Sequence, residues 1–207
     1  KLKSLINWIA KWEADGETYI DGIGTQMHIS YYENAGTQTS KKNAITNMFR
    51  LMAASGKLVR VSEFDMGYVN AAGRDVPTGE MTEHQHKNMA DYYEWIIKEY
   101  FRLIPPEQQW GICFWCPTDS PANSGWRANT PVGIWTNGTF YRKHAYAGIV
   151  RGLGGVDHSG VEEMPVEDLS VYPSGIYTIQ GVRLPADVKF EDLPSGLYIV
   201  NGKKIMK

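Results

Sequence analysis

Three short β-rich runs, each ending in polar or aromatic residues and each followed by a helical pattern, constrain this chain most. Tyr19 to His28 reads as a strand whose far end carries Gln26 and His28. Leu58 to Met66 is rich in β-branched residues and ends in Glu63 and Asp65. Trp110 to Trp115 is a third strand, followed by Asp119. Between them, Ile45, Met48, Phe49 and Met52 recur at helical spacing, with Ser40 as N-cap and Gly56 as stop, predicting a helix over 41–54. Thr82 and Gln85 form a capping box before a helix over 83–103, and Pro105-Pro106 prevents its continuation. An amphipathic helix over 1–14, stopped near Gly16, precedes the first strand, and a shorter helix over 142–153 follows the third. Such alternation implies α/β structure, with parallel strands joined by helical crossovers. In sheets of this kind functional groups gather at the C-terminal ends of the strands.

A different texture begins after Gly154-Gly155. Residues 154–173 read as an acidic linker. Residues 174–207 hold two similar runs of Ser-Gly-aliphatic-Tyr, at Ser174 and Ser195, and an Asn201-Gly202 hairpin signal. This is a small β appendage of short strands. Residues 1–153 form the larger unit.

Composition removes several functions. Lys plus Arg number 21 against 23 Asp plus Glu, with no long basic run, so no electrostatic footprint for nucleic acid is present. Uncharged stretches such as Trp110 to Thr118 are too short and polar to span a bilayer. The chain begins Lys1-Leu2-Lys3 with no signal-peptide pattern, which is expected of a cut inside a longer chain. Cys113 and Cys116 are the two cysteines, so a disulfide scaffold is excluded. Without a second cysteine pair, their spacing fits packing better than zinc or redox chemistry, and Cys113 is expected to pack in its apolar run. His84 and His86, two apart on a helix, do not share a face as metal ligands would, and His144 and His158 have no partner pattern. Gly22-Ile23-Gly24 lacks the third glycine of a dinucleotide loop. No metal or cofactor is implied.

Glu63 and Asp65, two apart on a strand, point to one face. Carboxylates at the end of a parallel strand pay desolvation unless a partner holds them, and His28 on the neighbouring strand can serve both. Trp110 and Trp135 are expected in the core. Trp126 lies in a polar loop, Asn123 to Arg127, and with Trp115 brackets a Pro/Gly/Asn-rich segment. Aromatic faces beside carboxylates suit a sugar, whose C–H groups stack while its hydroxyls bond polar neighbours. Tyr31 and Tyr32 either flank the cleft or pack under a loop.

These motifs carry a family resemblance. Residues 1–153 resemble the C-terminal half of a family 10 glycoside hydrolase, the retaining endo-β-1,4-xylanase family. Ile20 to His28 is similar to its strand-six motif, and Val61-Ser62-Glu63-Phe64-Asp65 to the strand-seven motif that bears the nucleophile. Gly111 to Trp115, with Asp119, Trp126 and Arg127, is similar to the strand-eight motif and its loop. The resemblance implies strands six to eight of a (β/α)8 barrel, with Glu63 as nucleophile, His28 bonded to it and Asp65 holding His28. It also implies sugar subsites lined by Gln26, Trp115, Trp126 and Arg127. The chain departs from the family at Cys116-Pro117, where Gly and an aliphatic residue are usual, and in the Pro121 to Gly125 loop. The family's acid/base glutamate, in a Trp-Asp-x-x-Asn-Glu motif on strand four, has no counterpart here. Retaining hydrolysis needs two carboxyl groups about 5–5.5 Å apart, so the expectation is half a site. The partners implied are xylan or xylooligosaccharide, and either the missing N-terminal half of the barrel or a second copy. The alternative is a non-catalytic carbohydrate-binding or structural fragment. Leu193 to Lys204 resembles the small β sorting tail that ends many secreted proteins of Bacteroidetes, which implies a secreted, cell-surface or periplasmic protein.

Overall fold

The computed structural model describes residues 1–155, 175–178, 182–201 and 203–207. The chain divides into two compact units, Lys1–Gly160 and Val161–Lys207. Most of the acidic stretch, and His158, lie outside the described residues.

In the first unit the order is α1 (Leu2–Trp12), β1 (Gly22–Tyr32), α2 (Ala35–Ala53), β2 (Leu58–Val69), α3 (Glu83–Leu103), β3 (Gln109–Phe114) and α4 (His144–Gly152). The three strands form one parallel sheet in the order β1-β2-β3. Helix α3 starts at the expected capping box, with both Thr82 and Gln85 bonds present. Helix α2 begins earlier than the sequence suggests. Asn34, not Ser40, is its N-cap, and the Asn34 side chain accepts from the Thr37 amide at 2.9 Å. The Ser/Thr-rich turn 37–40 lies inside the helix because a better cap precedes it.

One face of the sheet is packed. Ile23 and Met27 of β1, and Val59, Val61, Phe64, Met66 and Tyr68 of β2, are buried against Phe49 and Met52 of α2 and Tyr93, Ile96, Ile97 and Tyr100 of α3. The Tyr100 hydroxyl donates to the Val59 carbonyl at 2.8 Å and accepts from the Gly111 amide at 3.1 Å, joining β2 to β3.

The buried positions of β2 change parity along the strand. The buried apolar side chains run 59 and 61, then 64, 66 and 68. The register explains the change, since Thr25 pairs with Val61 but Gln26 pairs with Glu63, leaving Ser62 as an extra residue. The Ser62 hydroxyl donates to the Thr25 carbonyl at 3.1 Å. A bulge of this kind re-aims every side chain that follows it. It turns Glu63 and Asp65 to the face opposite Val59 and Val61.

That other face is largely bare. Gly24, Gln26, Cys113 and Trp115 are exposed on it. Trp110 is 54% exposed, with the Arg60 guanidinium 5.3 Å from its ring, so it is not a core residue. The core role falls to Ile112 and Phe114, which pack towards the helices, while Cys113 turns away from them and is exposed. Trp135 does pack against the core. Tyr31 stacks on Tyr68 with ring centroids 5.2 Å apart. Tyr32 lines a cavity of about 260 Å³ beside β1, shared with His28, Ser30, Lys41, Met48 and Tyr92.

The second unit holds a three-stranded antiparallel sheet, β4 (Ile176–Thr178), β5 (Leu197–Val200) and β6 (Lys203–Met206), in that order. Val200 pairs with Lys203, and Asn201 follows β5 at φ 48°. Among the described residues no helix is long and apolar enough to cross a membrane.

His86 of α3 lies with its ring 6.4 Å from that of His144 at the start of α4. Burial, and then the charges of Lys143 and His144, push its pKa down from 6.5 to about 4. Between these values the unfolded chain binds the extra proton, so stability is complete above pH 6.5 and is lost as pH falls towards 4. The loss should be on the order of 1–2 kcal/mol, because the ring is partly exposed and solvent screens part of the penalty. Thermal melts of the wild type should show this acid slope, and melts of His86→Gln should lack that component. An identical slope in both would refute the assignment.

Candidate active site

The cross-strand register builds the site. Gln26 lies beside Glu63 and His28 beside Asp65, in adjacent parallel strands. The Gln26 side-chain amide donates to one Glu63 oxygen at 2.8 Å. The other Glu63 oxygen faces His28 Nε2 at 3.1 Å. His28 Nδ1 faces Asp65 Oδ2 at 2.9 Å. Burial deepens along this line, with the Asp65 side chain fully buried and those of His28 and Glu63 19% and 22% exposed.

The long segment after β3 closes the site from behind. Trp126 Nε1 donates to Asp65 Oδ2 at 2.9 Å, and Arg127 Nη1 donates to Asp65 Oδ1 at 2.8 Å. Asp65 is therefore a buried anion with a guanidinium partner and several donors, the condition under which burial of a charge is tolerated. With Asp65 accepting from His28 Nδ1, the other ring nitrogen is the one that faces Glu63.

The rings stand at steep angles. His28 and Trp126 are 4.4 Å apart at 63°, and Trp115 and Trp126 are 6.4 Å apart at 74°. Trp115 is 48% and Trp126 38% exposed, which leaves aromatic surface beside Glu63 for an apolar ligand face. The arrangement offers one oriented carboxylate, one imidazole and two aromatic walls.

The structure thus brings together Gln26, His28, Glu63, Asp65, Trp115, Trp126 and Arg127. Arg127 stands apart in one respect. Its guanidinium also donates to the Ile29 carbonyl at 2.8 Å and to Ser30 Oγ at 2.9 Å, so both terminal nitrogens are engaged with β1. Asp119 is elsewhere. It is buried in an ion pair with Lys143 at 2.5 Å. Burial pushes the Asp119 carboxyl up and the Lys143 ammonium down, and the charge of each opposes the shift of the other. Burial, and then the Asp65 charge, raises the Cys116 thiol, which disfavours a reactive thiolate. Among the described residues no group of three or more His, Cys, Asp or Glu is placed to hold a metal ion.

Ser30 and Gly67 were missed from sequence. Ser30 sits two residues beyond His28 on the same strand face, which is a usable signal. Gly67 follows Asp65 by two, and a Cβ there would stand 2.1 Å from Arg127 Nη2. Gly67→Ala should therefore expel the guanidinium and leave Asp65 buried without its charge partner, costing about 3 kcal/mol or more. Denaturant unfolding should show this loss, with native-like far-UV dichroism before the transition. Gly24→Ala is the control, because its Cβ would meet nothing nearer than 3.6 Å. Equal effects at the two positions would refute this account of Gly67.

Solved structures that resemble this chain include xylanases. A thermostable mutant of xylanase Xyn10A from Cellvibrio japonicus superposes with a TM-score of 0.60 at 19% identity, covering 75% of this chain and 46% of that one. A mutant of xylanase 10C from the same organism, in complex with xylopentaose, gives 0.58 at 22% identity, covering 75% and 31%. Xylanase 10B from Thermotoga maritima gives 0.54 at 20% identity, covering 72% and 41%. The chain spans under half the length of these proteins. No curated protein sequence matches it. The likeness places β1, β2 and β3 with their helices as part of a (β/α)8 barrel, and the family model for glycosyl hydrolase family 10 matches residues 1–152. By that match and that fold, the chain belongs to glycosyl hydrolase family 10.

Proposed function

We propose that the protein this chain represents is a retaining endo-1,4-β-xylanase, and that the chain carries the nucleophile half of its site. The observation that carries the reading is Glu63, a carboxylate held on one oxygen by Gln26 and on the other by His28, at the end of a parallel strand beside two exposed tryptophans. In the first step Glu63 attacks the anomeric carbon, the glycosidic oxygen leaves with a proton from a general acid, and a covalent glycosyl intermediate forms. Water, giving its proton back to that general acid, then displaces Glu63 as a free carboxylate. His28 aims Glu63, and Asp65 orients His28. Gln26 bonds sugar hydroxyls as well as Glu63. Trp115 and Trp126 stack on pyranose C–H faces, and Arg127 serves the subsite by fixing Asp65 and Trp126.

The general acid comes from outside this chain. Asp65 is sealed beneath His28, Trp126 and Arg127, and Asp119 is sealed by Lys143. The same observation favours a second reading for this chain alone, a carbohydrate-binding or structural piece without turnover. Xylan or a xylooligosaccharide is the ligand in both. The carboxy-terminal hairpin sheet acts as a sorting tail, and the protein is secreted or held at the cell surface, where its polymeric substrate lies.

Hydrolysis of xylan and of an aryl xylobioside tests the assignment in a complete barrel containing this segment. Glu63→Gln should abolish turnover, because the amide cannot form the glycosyl intermediate, while xylooligosaccharide binding persists, because the change is nearly isosteric. This chain alone should sit at background. Parental turnover in Glu63→Gln would show that Glu63 is not the nucleophile, and parental turnover by the chain alone would overturn the half-site reading.

A three-stranded parallel sheet with a bare face and open edges also needs a partner. The partner is the remaining half of a barrel or a second copy. Sedimentation of the purified chain should show self-association or binding to that half. A monodisperse monomer with fully protected β1, β2 and β3 amides would contradict this.

A further inference from the structure

The segment from Trp115 to Lys143 has no helix or strand, yet it holds Trp126 and Arg127 against Asp65. Arg127 and Asn129 stand at φ 43° and 57°, a left-handed backbone that asparagine tolerates but that is uncommon for arginine, so the surroundings must hold Arg127 there. Residues 131–134 of the segment are buried. A buried loop must find partners for its backbone polar groups.

The Asp119–Lys143 pair supplies them. Asp119 Oδ1 accepts from the Gly133 amide at 3.0 Å, and Lys143 Nζ donates to the Pro131 carbonyl at 3.0 Å as well as to Asp119. One carboxylate and one ammonium thus grip the buried run on both sides of Val132. The grip passes directly to the site. Next to Pro131, Thr130 donates its hydroxyl to the Arg127 carbonyl at 2.5 Å and accepts at its own carbonyl from the Ser120 amide at 3.2 Å. Asn129 is tied to Pro121, and Thr78 to Asn129, by backbone bonds of 3.2 and 3.0 Å. The close approach is enforced, since a Cβ at Gly133 would lie 2.1 Å from the Thr118 carbonyl carbon.

We propose that Asp119 and Lys143 are positioning residues that set the placement of Trp126 and Arg127 on Asp65, and through Asp65 the aim of His28 at Glu63. A neutral or apolar pair would fill the same volume. The charged pair fixes one register, because removing either partner leaves the other buried and unpaired. That this placement serves glycoside hydrolysis rests on the proposed function; the placement itself does not.

Native-state hydrogen exchange by NMR on the wild-type chain, in rising denaturant, tests the proposal without substrate. The Gly133 amide and the Trp126 indole N–H should share one opening, at a free energy below that of global unfolding. Separate openings, or exchange of Trp126 only on global unfolding, would overturn it. Asp119→Asn keeps an acceptor for Gly133 but removes the charge from Lys143, and should speed Trp126 exchange by at least about tenfold. Glu99→Gln is the matched control, a remote ion pair with Arg102 on α3. It should leave Trp126 exchange within about twofold of the wild type after correction for its effect on global stability. Equal acceleration by the two variants would mean that the pair acts through overall stability alone, and the proposal fails. No step of this test involves turnover, so loss of the xylanase reading and loss of this one are separate results.

Discussion

The fully buried carboxylate of Asp65 organises the molecule around it. A lone carboxylate in that position would cost several kcal/mol, and three elements converge to prevent it. β1 brings His28, the segment after β3 brings Trp126 and Arg127, and β2 leaves room at Gly67 for the guanidinium. Because Arg127 also bonds Ile29 and Ser30 of β1, one cation joins both strands and the loop. The result is a rigid base beneath His28, so that the only partly accessible carboxylate in the group, Glu63, is presented with fixed donors on both oxygens.

The bulge at Ser62 makes this possible. Without it, Glu63 would share a face with Val59 and Val61 and point into the helical layer. With it, the strand delivers valines to the helices at its start and carboxylates to the open face at its end. The same device leaves Phe64, Met66 and Tyr68 facing the core, so packing is continuous while the chemistry is turned outward. Among the described residues of the segment after β3, Arg127, Asn129 and Phe140 have positive φ, and buried charges and backbone bonds hold the run beside Arg127.

Sheet architecture and site chemistry make the same demand. A parallel sheet is stable when both faces are covered, and hydrolysis with retention needs a carboxyl group on each side of the scissile bond. Here helices cover one face, and among the described residues Asp65 and Asp119 are both held in ion pairs. On the reading proposed above, whatever covers the bare face would also stand across from Glu63 and complete the site with the fold.

Much of this was legible in the sequence. The order of helices and strands followed from periodicity, and α3 was bounded by its own capping box. The grouping of Gln26, His28, Glu63 and Asp65 followed from their places at strand ends, because side-chain alternation and parallel crossovers are local rules. Where two local signals competed, sequence alone misjudged. Asn34 outranked Ser40 as the cap of α2, and Trp110 faced solvent while Ile112 and Phe114 took the core. Tertiary structure alone decided the extra residue at Ser62, the engagement of Arg127 with the protein around Asp65, and the pairing of Asp119 with Lys143. Each depends on residues distant in sequence meeting in a buried space, where one unsatisfied charge or backbone group outweighs local preference.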